Sequence, residues 1–148
     1  MAIAEAMKLE LLYETDETAW LEVMSALAAE GRCGDMDYPN LSEYLADMAK
    51  RDRREVFSRL VVLLTHLLKS AYQPDRLGGS WQATIREQRR ELRQLLESKT
   101  LRNHAAAVSA EAYAEARRQA ADETELEREV FPTENERDLD TILAENDA

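Results

Sequence analysis

Residues 51–72 read RDRREVFSRLVVLLTHLLKSAY, and their apolar pattern decides the fold. At about 100° per residue, Val56, Leu67, Leu60, Ala71, Leu64, Phe57, Leu68, Val61 and Tyr72 spread over nearly half of a helix circumference. A helix resting on one neighbour needs a narrower stripe, so this one belongs inside a bundle with partners on two or three sides. It is the expected central helix of an all-α fold, a single compact bundle of five or six helices.

Toward the N-terminus, Trp20, Val23, Met24 and Leu27 recur at i, i+3, i+4 and i+7, which predicts a helix beginning near Asp16 with Thr15 or Asp16 as its cap. Gly31 supplies the stop. Residues 1–12 are expected to form an N-terminal extension. After a loop containing Pro39, Asn40 is placed to cap a second helix carrying Leu41, Tyr44, Leu45 and Met48. The charged run Lys50-Arg51-Asp52-Arg53-Arg54 is compatible with one long helix over residues 40–72 or with two, and a bend before the central helix is the expectation.

Beyond the central helix, Pro74 ends it, Gly78 and Gly79 turn the chain, and Ser80 is placed to cap the next helix. That helix, from Trp81 to about Ser98, shows a stripe of Trp81, Ile85, Gln88, Leu92, Leu95 and Leu96. Arg86, Arg89, Arg90 and Arg93 are left side by side outside it. Residues 101–121 place Leu101, Ala105, Val108, Ala112, Ala116 and Ala120 on one face, small enough for close approach of another helix. The acidic segment 122–148 contains Leu139, Ile142 and Leu143, the pattern of a short docking helix, and its last few residues are expected to fray.

One domain spanning residues 1–148 suits this length. Four glycines and three prolines are too few to punctuate many short strands. The longest apolar run, Leu60 to Leu64, is far too short to cross a bilayer, and the charged opening residues do not resemble an export signal. A lone cysteine, Cys33, forms no internal disulfide and fits a cytoplasmic location. The net charge of −11 is unevenly placed. Residues 1–49 sum to −9, residues 50–102 to +7 and residues 119–148 to −9, so the basic middle either meets a polyanion or is neutralised by its acidic flanks.

Several strings carry a family resemblance. Arg59-Leu-Val-Val-Leu-Leu-Thr-His66-Leu-Leu-Lys69, Tyr72-Gln73-Pro74 and Ser80-Trp81-Gln-Ala-Thr84-Ile85-Arg86-Glu87-Gln88-Arg89 resemble the bacterial family "domain of unknown function 29". Tyr13, Thr15, Asp16 and Trp20 match its typical opening, and Tyr113 to Arg117 with Phe131-Pro132 match its typical end. The resemblance covers about residues 13–145. It implies a helical fold and no activity. The sequence departs from the family where a glycine often precedes the central helix, here replaced by Lys50 to Arg54.

Arg59, His66 and Gln73 repeat every seven residues on the central helix, with Ser70 close beside them. A guanidinium and an imidazole two turns apart can bracket a phosphodiester, which makes Arg59 and His66 the candidate catalytic pair. The pair also resembles the Arg-x(4 to 6)-His motif of the helical HEPN ribonucleases. Fifteen arginines and two histidines supply such a spacing by chance roughly half the time. The structural alternative has His66 bonding within the bundle and Arg59 pairing with an acidic neighbour. Candidate ligand-binding residues are Lys69, Gln73, Arg76, Trp81, Arg86 and Arg89, around the turn after the central helix. Packing is the competing role for the aromatics. His66, His104 and Cys33 offer no metal-ligand spacing, so neither a metal nor a cofactor is expected.

The leading expectation is a noncatalytic helical interaction module that binds an unidentified protein partner, with a homo-oligomer packed through the alanine-rich helix. A nuclease or toxin-antitoxin-type regulator using Arg59 and His66 is the first alternative, and a binder of a small anionic ligand near Gln73 to Arg86 the second. Nucleic acid is disfavoured by the acidic total, and no membrane partner is expected.

Overall fold

The computed structural model describes residues 2–76 and 78–144, with side chains from residue 8 onward. Among the described residues it holds six α-helices, three short 3-10 turns and no strand, so the protein is all-α. The expected fraying concerns residues 145–148, outside the described residues. The chain packs as two compact units, residues 1–50 and residues 51–148.

The first unit contains α1 (Ala2–Thr15), α2 (Glu17–Ala29) and the first turns of α3 (Tyr38–Tyr72). The expected extension is therefore a helix. Its Leu9 is buried with Trp20, Met24 and Leu27 of α2, and Leu12 and Tyr13 pack at the edge. Leu9, Leu12 and Tyr13 stand at i, i+3 and i+4, a signal that marks this helix in the sequence. Asp16 alone separates α1 from α2, and its carboxylate accepts from the Ala19 amide at 3.1 Å. That cap satisfies one of the orphan donors of the first turn. At the other end Gly31 adopts φ +69°, Arg32 N–H donates to Leu27 O and Gly31 N–H to Ala28 O. Left-handed backbone at this position closes the helix, which is why glycine stands there.

Asp37, not Asn40, caps α3. Its carboxylate accepts from the Asn40 amide at 3.5 Å and the Asn40 side chain at 2.8 Å, and its carbonyl accepts from Leu41 N–H. Pro39 lies in the first turn rather than in a loop, because a helix start has no use for the amide hydrogen that proline lacks. The same carboxylate accepts from Trp20 Nε1 at 3.1 Å, so the cap and the fully buried indole fix each other. Rings of Tyr13 and Tyr44 close over Trp20 at 4.7 and 5.8 Å.

No helix break occurs at Lys50 to Arg54, since α3 is helical at every residue from Tyr38 to Tyr72. Lysine and arginine are good helix formers and the run holds no glycine or proline, so nothing local stops the hydrogen-bond ladder.

In the second unit the later turns of α3 form the centre against α4 (Gly79–Leu95), α5 (Lys99–Thr124) and α6 (Leu139–Ala144). Val56, Leu60, Val61, Leu63, Leu64, Thr65 and Leu68 are buried. Leu63 has no exposure although it lies outside the predicted face, whereas Ala71 and Tyr72, on that face, are exposed. With helices around it, the buried arc widens in the middle of α3 and runs out near its end. Gly78, rather than Ser80, is the N-cap residue of α4, and Ser80 sits in its first turn. Ser98 caps α5, accepting from Leu101 N–H at 3.3 Å.

Arg59 bonds Gln88 and His66 faces Trp81, and both pairs sum to the same number, the mark of an antiparallel α3–α4 hairpin. Ala105, Ala112, Ala116 and Ala120 of α5 have no exposure. The small-residue face expected to receive a second copy is thus consumed inside the molecule, where short side chains let helices approach closely.

Candidate functional site

The polar strip of α3 lies along the helix as its seven-residue spacing requires; Arg59, His66 and Gln73 are engaged within the chain, whereas the buried Ser70 Oγ has no hydrogen-bond partner. Arg59 donates through Nε to Glu55 at 3.0 Å and through Nη1 to Gln88 at 3.2 Å, with Glu91 at 3.9 Å. Its side chain keeps 26% exposure. Ring nitrogen Nδ1 of His66 lies 2.9 Å from Val62 O, its donor over the backbone carbonyl one turn back. The His66 and Trp81 rings meet edge-on at 6.5 Å. Gln73 donates to Thr124 O at 3.2 Å. Arg59 and His66 are thus half-buried groups on one strip, with Glu55, Glu91 and Gln88 surrounding the guanidinium.

Lys69 is a buried cation that sequence reasoning placed at a ligand site. Its ammonium sits 2.8 Å from Glu123 and 4.3 Å from the centre of the Trp81 ring. A carboxylate and an aromatic face together replace the water this charge has lost. Lys69, His66 and Trp81 therefore come together, joining α3 to α4 and to the end of α5. Arg76, in the 3-10 turn Pro74–Arg76, and Arg86 are exposed.

Arg89 departs from the sequence reading. It was expected on the outer face with Arg86, Arg90 and Arg93, yet it is 3% exposed, and its Nε donates to Ile142 O at 2.9 Å. Arg93 donates to Leu143 O from the next turn, at 2.7 Å through Nε. Both guanidinia meet the last carbonyls of α6, where a helix carries unsatisfied acceptors and partial negative charge. At the opposite end of α6 Asp138 accepts from Thr141 N–H at 2.8 Å, and hydrogen bonding from the Thr141 side chain first, then from this amide, lowers the pKa of its carboxyl. No local pattern reveals this docking, since donor and acceptor lie about fifty residues apart.

Tyr113 and Arg117 hold the Phe131-Pro132 turn against α5. The phenol donates to Pro132 O at 2.7 Å and Arg117 Nε to Phe131 O at 3.1 Å. Burial, aided by Tyr72, raises the Tyr113 phenol above its ordinary pKa, with Arg117 acting in the opposite direction. Tyr72 packs on Phe131 at 5.2 Å and lines a cavity of about 300 Å3 with Leu64, Tyr113 and Asn135.

A larger opening lies in the first unit. A groove of about 580 Å3 runs between α1, α2 and the 3-10 turn Cys33–Asp35. Leu9, Leu11, Leu12, Val23 and Leu27 form its apolar lining, with Lys8, Thr15, Arg32 and Asp35 at its margin. Leu11 is 60% exposed and Val23 39%. Sequence reading assigned Val23 to the core of α2, and the exposure of its partner Leu11 escaped notice because α1 itself was missed. Among the described residues no three His, Cys, Asp or Glu side chains gather as a metal site would require, and no helix is long and apolar enough to cross a membrane.

The residues that carry the family resemblance thus have assigned places: Asp16 at a cap, Trp20 in a core, Lys69 and Trp81 between helices, Tyr113 and Arg117 on the Phe131-Pro132 turn. No curated protein and no solved structure matches the chain. Residues 12–146 match the family model described as Domain of unknown function DUF29, and the chain belongs to that family.

Proposed function

We propose that this protein is a noncatalytic helical interaction module whose first unit carries the surface for a protein partner. One observation carries the reading: the open apolar groove between α1 and α2, with Leu11 and Val23 exposed beside it. Exposed apolar surface of this kind, edged by polar groups, marks sites of protein association. The polar strip supports the same reading from the other side, since Arg59, His66 and Gln73 bond to groups of their own chain. A cytoplasmic location in a bacterial cell fits a chain with a single, exposed cysteine.

Affinity capture with the wild-type chain and with Leu11→Asp, followed by reconstitution from purified components, tests this. A partner that binds the purified wild-type chain and not the variant is the expected result. RNA cleavage by the wild-type chain, abolished by His66→Ala with the helical circular dichroism retained, would instead make the strip an active site and end the noncatalytic reading.

A further inference from the structure

We infer that the groove of the first unit receives an amphipathic helix with basic flanks, donated by a protein partner. The inference rests on the reading of that groove as an interaction surface and adds the chemistry of what fills it. The lining contributed by α1 runs from Lys8 to Thr15, about 10 Å along the helix, which is two turns and the span from i to i+7 of a docked helix. An apolar floor between two helices is the usual seat for a third helix that presents side chains at i, i+3, i+4 and i+7.

Charge selects among the occupants. Residues 1–50 hold eleven acidic side chains and three basic ones, a net charge of −8. Arg32 is already spent on Glu30 at 3.3 Å and Asp35 at 3.0 Å. Glu10 and Glu14 on α1 and Glu17 and Glu22 on α2 are exposed. Glu14 stands one turn beyond Leu11, and Glu22 is next to Val23. The charged margin of the groove itself is Lys8, Arg32 and Asp35, so lysines or arginines flanking an apolar stripe would meet the four glutamates on the outer faces of α1 and α2 beyond that margin, with docking strengthened and steered by the field of the whole unit. A second copy seated through the same face would bring two units of −8 together, and an anionic lipid surface would be repelled for the same reason.

Two labelled peptides of about 14 residues, sharing leucines at i, i+3, i+4 and i+7 and carrying lysine or glutamate elsewhere, test this against the full-length protein by fluorescence anisotropy. The expected result is binding of the lysine peptide at least about tenfold tighter than its glutamate twin, weakened by salt. It is lost in Val23→Asp, a substitution at an exposed position whose folding is checked by circular dichroism. That variant adds a negative charge, so a contact made by charge alone would tighten in it. Unchanged or tighter binding to Val23→Asp overturns the groove as the site. Equal binding of both peptides, each lost in the variant, overturns the basic partner and leaves the docking surface standing. No binding of either peptide overturns the helix occupant, and a dimer in sedimentation that Val23→Asp dissociates identifies a second copy instead.

Discussion

Arg89 on α4 donates its Nε hydrogen to the carbonyl of Ile142, 2.9 Å away near the end of α6. Arg89 is 3% exposed, so its truncation removes buried stem packing and takes a donor away from a buried carbonyl. Arg89→Ala is expected to cost about 2–4 kcal/mol in urea unfolding, and Arg89→Lys to recover only part, because an ammonium lacks the planar fork. Hydrogen exchange should show residues 139–144 losing protection first. Protection of α6 unchanged in Arg89→Ala would refute this account of its docking.

Lys69 and Glu123 make an unequal pair, since the lysine side chain is 11% exposed and the glutamate 48%. Glu123→Gln strands a nearly buried ammonium and is expected to lower stability by about 1 kcal/mol, softened by solvent at the glutamate. Lys69→Met keeps the apolar stem and removes the charge, so it should be close to neutral. Thermal melts of both variants decide the matter; a larger loss for Lys69→Met than for Glu123→Gln would contradict it.

Tyr113 gives a prediction at alkaline pH. Its phenol is raised in the folded state by burial first, then by Tyr72 and Glu136, against the lowering effect of Arg117. The unfolded chain therefore loses this proton first, and the stabilisation present below about pH 10 declines as pH rises toward the folded value. Tyr113→Phe should flatten the decline while costing about 1 kcal/mol at neutral pH for the lost bond to Pro132 O. Equal alkaline slopes for the two proteins would rule out this role.

Leu63 and Ala71 test where the core of α3 lies. Leu63 has no exposure, and Leu63→Ala is expected to cost about 3 kcal/mol. Ala71 is exposed, and Ala71→Ser should change stability by less than about 0.5 kcal/mol. The reverse order in urea midpoints would restore the face predicted by helical periodicity.

The sequence by itself determined the class, the central helix and some helix ends. Asp16, Gly31 and Pro74 act through backbone groups a few residues away, and the apolar period of 51–72 requires only helix geometry. Only the tertiary structure decided that Arg89 and Arg93 close α6, that Lys69 sits between Glu123 and Trp81, that the alanine face of α5 is used internally, and that Leu11 and Val23 flank an open groove. The physical reason is range: a cap or a stripe is set by neighbours along the chain, whereas burial of an arginine or exposure of a leucine depends on which distant segment covers it.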